Sequence, residues 1–143
     1  MYKLLLRVLD LLILSSAAAL FGATLTSVLS TGALGWLIPD APYLYGSRDF
    51  YVEAILAGLA GAVALALAER SVRLRQSLPW RTLATFAAAL LTLYLAPPSP
   101  QVFGNTWAPG EATRELFLGQ WRLVLPIALA VTALRWGVNR LMR

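Results

Sequence analysis

The sequence predicts an all-α integral membrane protein, a single domain over residues 1–143 in which four transmembrane helices form an up-down bundle of two helical hairpins. Composition is the first observation: 59% of the 143 residues are hydrophobic and only 13% are charged, whereas about a quarter of the residues in a soluble domain are charged. The second observation is that the apolar residues gather in four long stretches. The third is that the segments joining these stretches alternate in charge.

Basic residues are concentrated on one side of the predicted membrane. That side carries nine basic and two acidic residues, a net charge of +7, and the other carries three basic and five acidic residues, a net charge of −2. Because lysine and arginine stay in the cytoplasm during insertion, both termini are predicted to be cytoplasmic. The bias towards alanine and arginine, with a single lysine, indicates a bacterial plasma (inner) membrane. The predicted topology anchors and lipid-headgroup contacts are Arg70, Arg73, Arg75, Arg81, Arg140 and Arg143.

The first two helices are predicted over residues 8–34 and 50–69. No ionisable residue occurs from Leu11 to Pro39, a run longer than the apolar core of a signal peptide, which has about 7–15 residues, so we expect it to be retained as a span. It is also overlong for a bilayer core of about 30 Å. Either the helix tilts, or it ends near Gly32 and Trp36 lies at the membrane interface, where tryptophan is preferred.

The last two helices are predicted over residues 79–96 and 116–138. The third helix is short, and we expect it to depend on snorkelling of Arg81 and on local thinning of the bilayer. The fourth contains Pro126, which removes a backbone donor and should bend the helix. Before it, Pro109 and Glu111 are typical of a helix start, and this helix would lie on the outer surface or continue into the fourth.

The two outer connections share a sequence pattern. Residues 37–46 and 95–104 both follow L-x-P-x-x-P-x-x-aromatic-G, and each leaves the outer end of an odd-numbered helix. One interpretation is a duplicated hairpin, as in transporters that contain parallel repeats. The other is chance, because prolines are best tolerated in outer loops.

Small residues on the first two helices predict close helix packing. In lipid, pressing one leucine against another brings no hydrophobic gain, so residues that let two backbones approach drive helix association. The residues expected to pack in this way, within the chain or against a partner, are Gly22, Ala54, Gly58, Gly61 and Ala62.

Two absent residue types exclude most catalytic chemistry. The chain has no cysteine and no histidine, so it lacks a thiolate nucleophile, an iron–sulfur ligand and the usual axial ligand of haem or chlorophyll. No serine or threonine has a histidine base, and no phosphate-binding loop is present. We therefore expect no enzyme activity and no protein-ligated cofactor, and the arginines at helix ends indicate lipid contact rather than nucleic-acid binding.

Glu53 is the one carboxylate that falls well inside a predicted helix. An acid within the membrane indicates a proton or cation site by default, although Glu53 is shallow enough to snorkel to water or to pair with Arg48 or Arg122. Asp10 is expected to precede the first helix and to be solvated with Lys3 and Arg7.

These patterns favour a non-catalytic accessory or structural subunit of a larger membrane complex. Such a subunit would dock onto other membrane proteins through small-residue helix faces and through the aromatic and proline-rich outer loops. The alternative is a small transporter, or a small membrane subunit of one, with Glu53 as an ion-coupling site. A third hypothesis is a protein that binds lipid, quinone or carotenoid non-covalently, by packing against it.

Overall fold

A computed structural model describes residues 1–40 and 45–142 and is helical wherever it forms regular structure, with no strand in either range. Two single 3₁₀ turns, Pro100–Val102 and Leu118–Gln120, lie in the later connections. The α-helices are α1 Tyr2–Thr31, α2 Ser47–Ala68, α3 Val72–Gln76, α4 Leu78–Tyr94, α5 Glu111–Leu116 and α6 Trp121–Leu141.

Three helical segments are long and apolar enough to cross a membrane. They are Tyr2–Thr31, Ser47–Ala68 and Glu111–Leu141, judged by length and composition. Helix α4 has 17 residues, which gives it a length of about 25 Å, somewhat less than a hydrocarbon core of about 30 Å. Many leucines on the outer faces of the helices are exposed, including Leu56 at 57% and Leu129 at 59%.

Helix α1 begins at Tyr2 rather than at residue 8, so Asp10 lies in its third turn and does not precede the helix. No proline or glycine occurs in the first 21 residues, so the helix starts about two turns earlier than predicted. The helix ends at Thr31, where Gly32 takes a left-handed conformation (φ 74°) and its N–H donates to the Val28 carbonyl. Trp36 therefore lies in the non-helical segment that follows.

The four long helices pack side by side, and each runs in the opposite direction to the long helix that precedes it. Helix α1 contacts α2, α4 and α6, and α4 contacts both α2 and α6. Arg135 near the end of α6 bonds to Asp10 on α1, to Glu69 after the end of α2 and to Thr85 near the start of α4. We call this the ionic end. At the opposite end, which we call the proline end, Gly22 lies against Pro97.

Two glycines of α2 set how closely the helices approach. A Cβ atom on Gly58 would lie 2.6 Å from the backbone nitrogen of Ser15, and one on Gly61 would lie 3.1 Å from the Ala88 carbonyl oxygen. The first distance is shorter than any real Cβ contact, so α1 and α2 approach this closely because position 58 has no side chain. A close approach of this kind is what stabilises helix pairs in lipid.

The small residues predicted to pack are all buried inside the chain. Gly58 faces α1, Gly61 faces α4, and Gly22 lies between Phe50 and Pro97. Ala54 and Ala62 are 2% and 8% exposed. These faces are occupied by the chain's own helices, so they are not free to bind a partner.

The last third of the chain is interrupted once. Gly110, in a left-handed conformation, precedes α5, which ends at Leu116; Phe117 then breaks the helix before α6 starts at Trp121. The short helix therefore forms where Pro109 and Glu111 predict it, and it does not run uninterrupted into α6. Pro126 lies inside α6 with an exposed side chain.

We expect Gly58→Leu to lower the free energy of unfolding by about 3 kcal/mol or more, because the new side chain meets the Ser15 backbone, which cannot rotate away. The matched control is Gly137→Leu on α6, where a Cβ meets nothing within 4 Å. Denaturant titration of the purified protein in detergent measures both. Equal losses in the two variants would contradict the close contact between α1 and α2.

Candidate functional site

The most unusual feature of the structure is a buried cluster of charged side chains at the ionic end. At its centre is Arg135 of α6, whose side chain is 8% exposed. Its Nε donates to Asp10 Oδ1 at 2.7 Å, and its Nη2 donates to Asp10 Oδ2 at 3.3 Å and to Glu69 Oε1 at 2.6 Å. Its Nη1 donates to the Thr85 hydroxyl at 3.1 Å. One guanidinium thus connects α1, α4 and α6 with the residue that caps α2.

A second guanidinium, from Arg7, completes the cluster. Its Nη1 donates to Asp10 Oδ2 at 3.3 Å and its Nη2 donates to Glu69 Oε2 at 2.9 Å. Each carboxylate is therefore shared between the same two arginines, and the two positive charges balance the two negative ones. We call Arg7, Asp10, Glu69, Thr85 and Arg135 the ionic network.

Burial makes the pairing within the network necessary. Asp10 is 4% exposed and Arg135 6%, and an isolated ion at this depth would keep a desolvation penalty of several kcal/mol. Hydrogen bonds from a guanidinium fork to a carboxylate offset that penalty because they are charge-assisted and geometrically matched. The network therefore fixes the relative positions of all four long helices at this end.

Sequence reasoning missed the network, and the expectation that Asp10 is solvated was wrong. The residues that pair are far apart in the chain, since 125 positions separate Asp10 from Arg135. Arg135 and Glu69 are among the charges from which the membrane orientation was predicted. Charges at the ends of apolar stretches are ordinarily solvated, so nothing in the sequence distinguishes these two. The one local signal was the placement of an acid three residues after Arg7 at the start of a long apolar stretch.

The structure gives Glu53 a different partner from those expected. Its Oε2 accepts a hydrogen bond of 2.7 Å from the hydroxyl of Tyr45, which lies just before α2 and is 8% exposed. Burial, followed by this hydrogen bond and the negative charge of Glu53, raises the pKa of Tyr45 above its ordinary value. Arg122 is exposed, with its guanidinium 5.5 Å from the centre of the Trp121 ring. Within the described ranges, no ion pair joins Glu53 to Arg122 or Arg48.

Glu53 also lines a cleft at the proline end. The cleft has a volume of about 490 Å³ and lies between α1, α2, the end of α4 and α5. Its walls are mainly apolar, formed by side chains such as Phe21, Leu93 and Phe117. Its size is within the range of small-molecule sites, about 300–1,000 Å³, and Glu53 is the one carboxylate among the described residues that line it.

The basic residues predicted to anchor the topology lie at the ionic end. Arg70, Arg73, Arg75 and Arg140 are exposed and Arg81 is half-buried. Arg143 lies outside the described residues, as does part of the first proline repeat, residues 41–44. The duplication therefore stays a prediction.

In residues 1–40 and 45–142, no cluster of three or more histidine, cysteine, aspartate or glutamate side chains could hold a metal ion. Comparison with protein-family models, with curated proteins and with solved structures finds no match to the chain. Only the geometry of the site therefore indicates its chemistry.

Replacing Arg135 should be strongly destabilising, because Arg135→Met leaves the buried carboxylate of Asp10 and the half-buried one of Glu69 with only Arg7 between them. We expect the free energy of unfolding to fall by about 3–5 kcal/mol. Arg122→Met removes an exposed arginine and should cost less than about 1 kcal/mol. Denaturant titration in detergent compares the two, and a similar cost for both would mean that the network does not hold the helices together.

Proposed function

We propose that this protein is a non-catalytic structural subunit of a larger complex in the bacterial plasma membrane. In this proposal it crosses the membrane four times, with the ionic end and both termini in the cytoplasm. The connection between α2 and α4, which contains Arg73 and Arg75, then lies on the cytoplasmic side, as expected for basic loops. The short helix α4 reaches the interface with the help of Arg81.

The observation that carries the proposal is the closure of the ionic network. A carboxylate that couples transport has to bind and release a proton or cation. Asp10 and Glu69 are each held by two arginines, and the four charges cancel. A network of this kind favours one fixed arrangement of helices, which suits a scaffold, and it supplies neither a nucleophile nor an open metal site.

The surface offered to a partner differs from the one that the sequence favours. Since the small-residue faces pack within the chain, we assign docking to the proline end. Trp36 and Trp121 are 54% and 56% exposed there, and aromatic side chains of this kind are enriched at the centres of protein interfaces. Trp107, by contrast, is tied to its own connection by a 3.0 Å bond from its indole N–H to the Pro100 carbonyl.

The small transporter is a second candidate, and it has support from one observation. Glu53 is a carboxylate that lines the cleft at the proline end, and its second carboxylate oxygen has no hydrogen-bond partner among the described residues. In a transporter, a homo-oligomer would form the pathway and Glu53 would be the coupling site.

The orientation can be tested directly because the native chain has no cysteine. We expect Arg73→Cys to resist a membrane-impermeant maleimide added to intact cells and to react after permeabilisation. Asn105→Cys, in the connection between α4 and α5, should react in intact cells. The opposite pattern would overturn the proposed topology.

Assembly can be tested by extracting the chain from its native membrane into polymer nanodiscs and measuring the mass of the particles. We expect a complex of fixed stoichiometry with larger subunits, lost in Trp36→Ala and retained in Trp80→Ala, a control 56% exposed at the ionic end. A stable homo-oligomer that both variants preserve would contradict the subunit proposal and favour the transporter.

A further inference from the structure

A second concave site lies at the ionic end, in the groove between α4 and α6. It has a volume of about 210 Å³. Polar and basic side chains from both helices line it, among them Arg81, Thr82, Arg135, Trp136, Asn139 and Arg140. No acidic residue is among its lining side chains. The groove therefore concentrates hydrogen-bond donors and positive charge in one place.

Two of its arginines have no counter-charge among the described residues. Arg81 and Arg140 form no ion pair within the ranges that the structure describes. The guanidinium of Arg140 lies 5.1 Å from the centre of the Trp136 ring, a cation–π contact that limits its orientations. Asn139, the neighbouring residue on α6, adds an amide donor.

The third arginine links the groove to the ionic network. Arg135 has five N–H donors, and hydrogen bonds to Asp10, Glu69 and Thr85 use four of them. The fifth, on Nη1, has no partner among the described residues. Since Arg135 is 6% exposed and lines the groove, this buried donor is available to an acceptor that enters from the groove.

We propose that the groove binds the phosphate headgroup of an anionic phospholipid from the cytoplasmic leaflet. The inference rests on the proposed membrane orientation, which places the ends of α4 and α6 at headgroup depth. A phosphate offers several acceptor oxygens to the fork-shaped donors of arginine. Exposed apolar side chains continue from the groove along α6, namely Leu125 at 40% and Leu129 at 59%. They lie two turns before Thr132 and Trp136 on the face of the helix that lines the groove, and they give the acyl chains a surface that a soluble phosphate would not use.

The bound lipid would stabilise the folded chain. It satisfies the remaining donor of Arg135 and bridges Arg81 on α4 to Arg140 on α6. A ligand that binds only the folded state raises stability in proportion to the logarithm of its concentration. The protein should therefore unfold at a higher temperature in the presence of the lipid.

The test titrates the purified chain in uncharged detergent with phosphatidylglycerol, and phosphatidylcholine is the neutral comparison. Thermal unfolding measures stability, and native mass spectrometry detects bound lipid. Phosphatidylglycerol should stabilise the native chain and stay bound. Arg81→Gln with Arg140→Gln should weaken that binding about tenfold or more. Arg73→Gln with Arg75→Gln removes the same charge from the neighbouring connection and should change it by less than about twofold.

Two outcomes would overturn the inference directly: equal stabilisation by phosphatidylcholine, or an equal loss of lipid binding in the two double variants. A third is full stabilisation by inorganic phosphate at millimolar concentration, which would identify a site for soluble anions. The assay contains no partner protein, so failure to isolate a complex leaves its result unchanged. Failure of the orientation is detected separately by cysteine labelling.

Discussion

The pairing of two arginines with two carboxylates is the interaction on which the ionic end depends. Asp10 and Arg135 are buried, and each would be costly to bury without the other. Since Arg135 bonds to groups on three other elements, moving any of these elements along its axis would break a hydrogen bond to a buried guanidinium. The network therefore favours one register of the helices.

A second constraint is the absence of side chains at two glycines of α2, which determines how closely α2 approaches α1 and α4. Leucine side chains pack against lipid as well as against each other, so the gain from association comes from close backbone contact. Gly58 permits that contact against Ser15, and Gly61 permits it against Ala88. This close contact has a cost in hydrogen bonding, because the hydroxyls of Ser15 and Thr92 are buried without a hydrogen-bond partner in the part of the chain that the structure describes. Charge pairing at one end and close glycine contacts along the middle thus give a fixed helical scaffold.

The proline end is built differently. Its connections are long and its cleft is mainly apolar. Within the described ranges, the part-buried hydrogen bond that an acid accepts at this end is the one from Tyr45 to Glu53. This asymmetry leads us to assign partner docking to the proline end and lipid-headgroup binding to the ionic end. The groove between α4 and α6 connects these two roles, because the arginine at its base belongs to the network that positions the helices.

The sequence by itself determined the helical class, the positions of the apolar stretches and the glycines that allow close packing. These are properties of local composition and spacing, since a long apolar run without proline forms a helix wherever its backbone must satisfy its own hydrogen bonds. Only the tertiary structure decided which charges are buried. Asp10 and Arg135 look like ordinary charges at helix ends in the sequence, and they are buried because they pair with each other across 125 positions of the chain. The tertiary structure also decided that the small-residue faces pack within the chain. The area that four helices bury against one another is a property of their packing and not of any single helix.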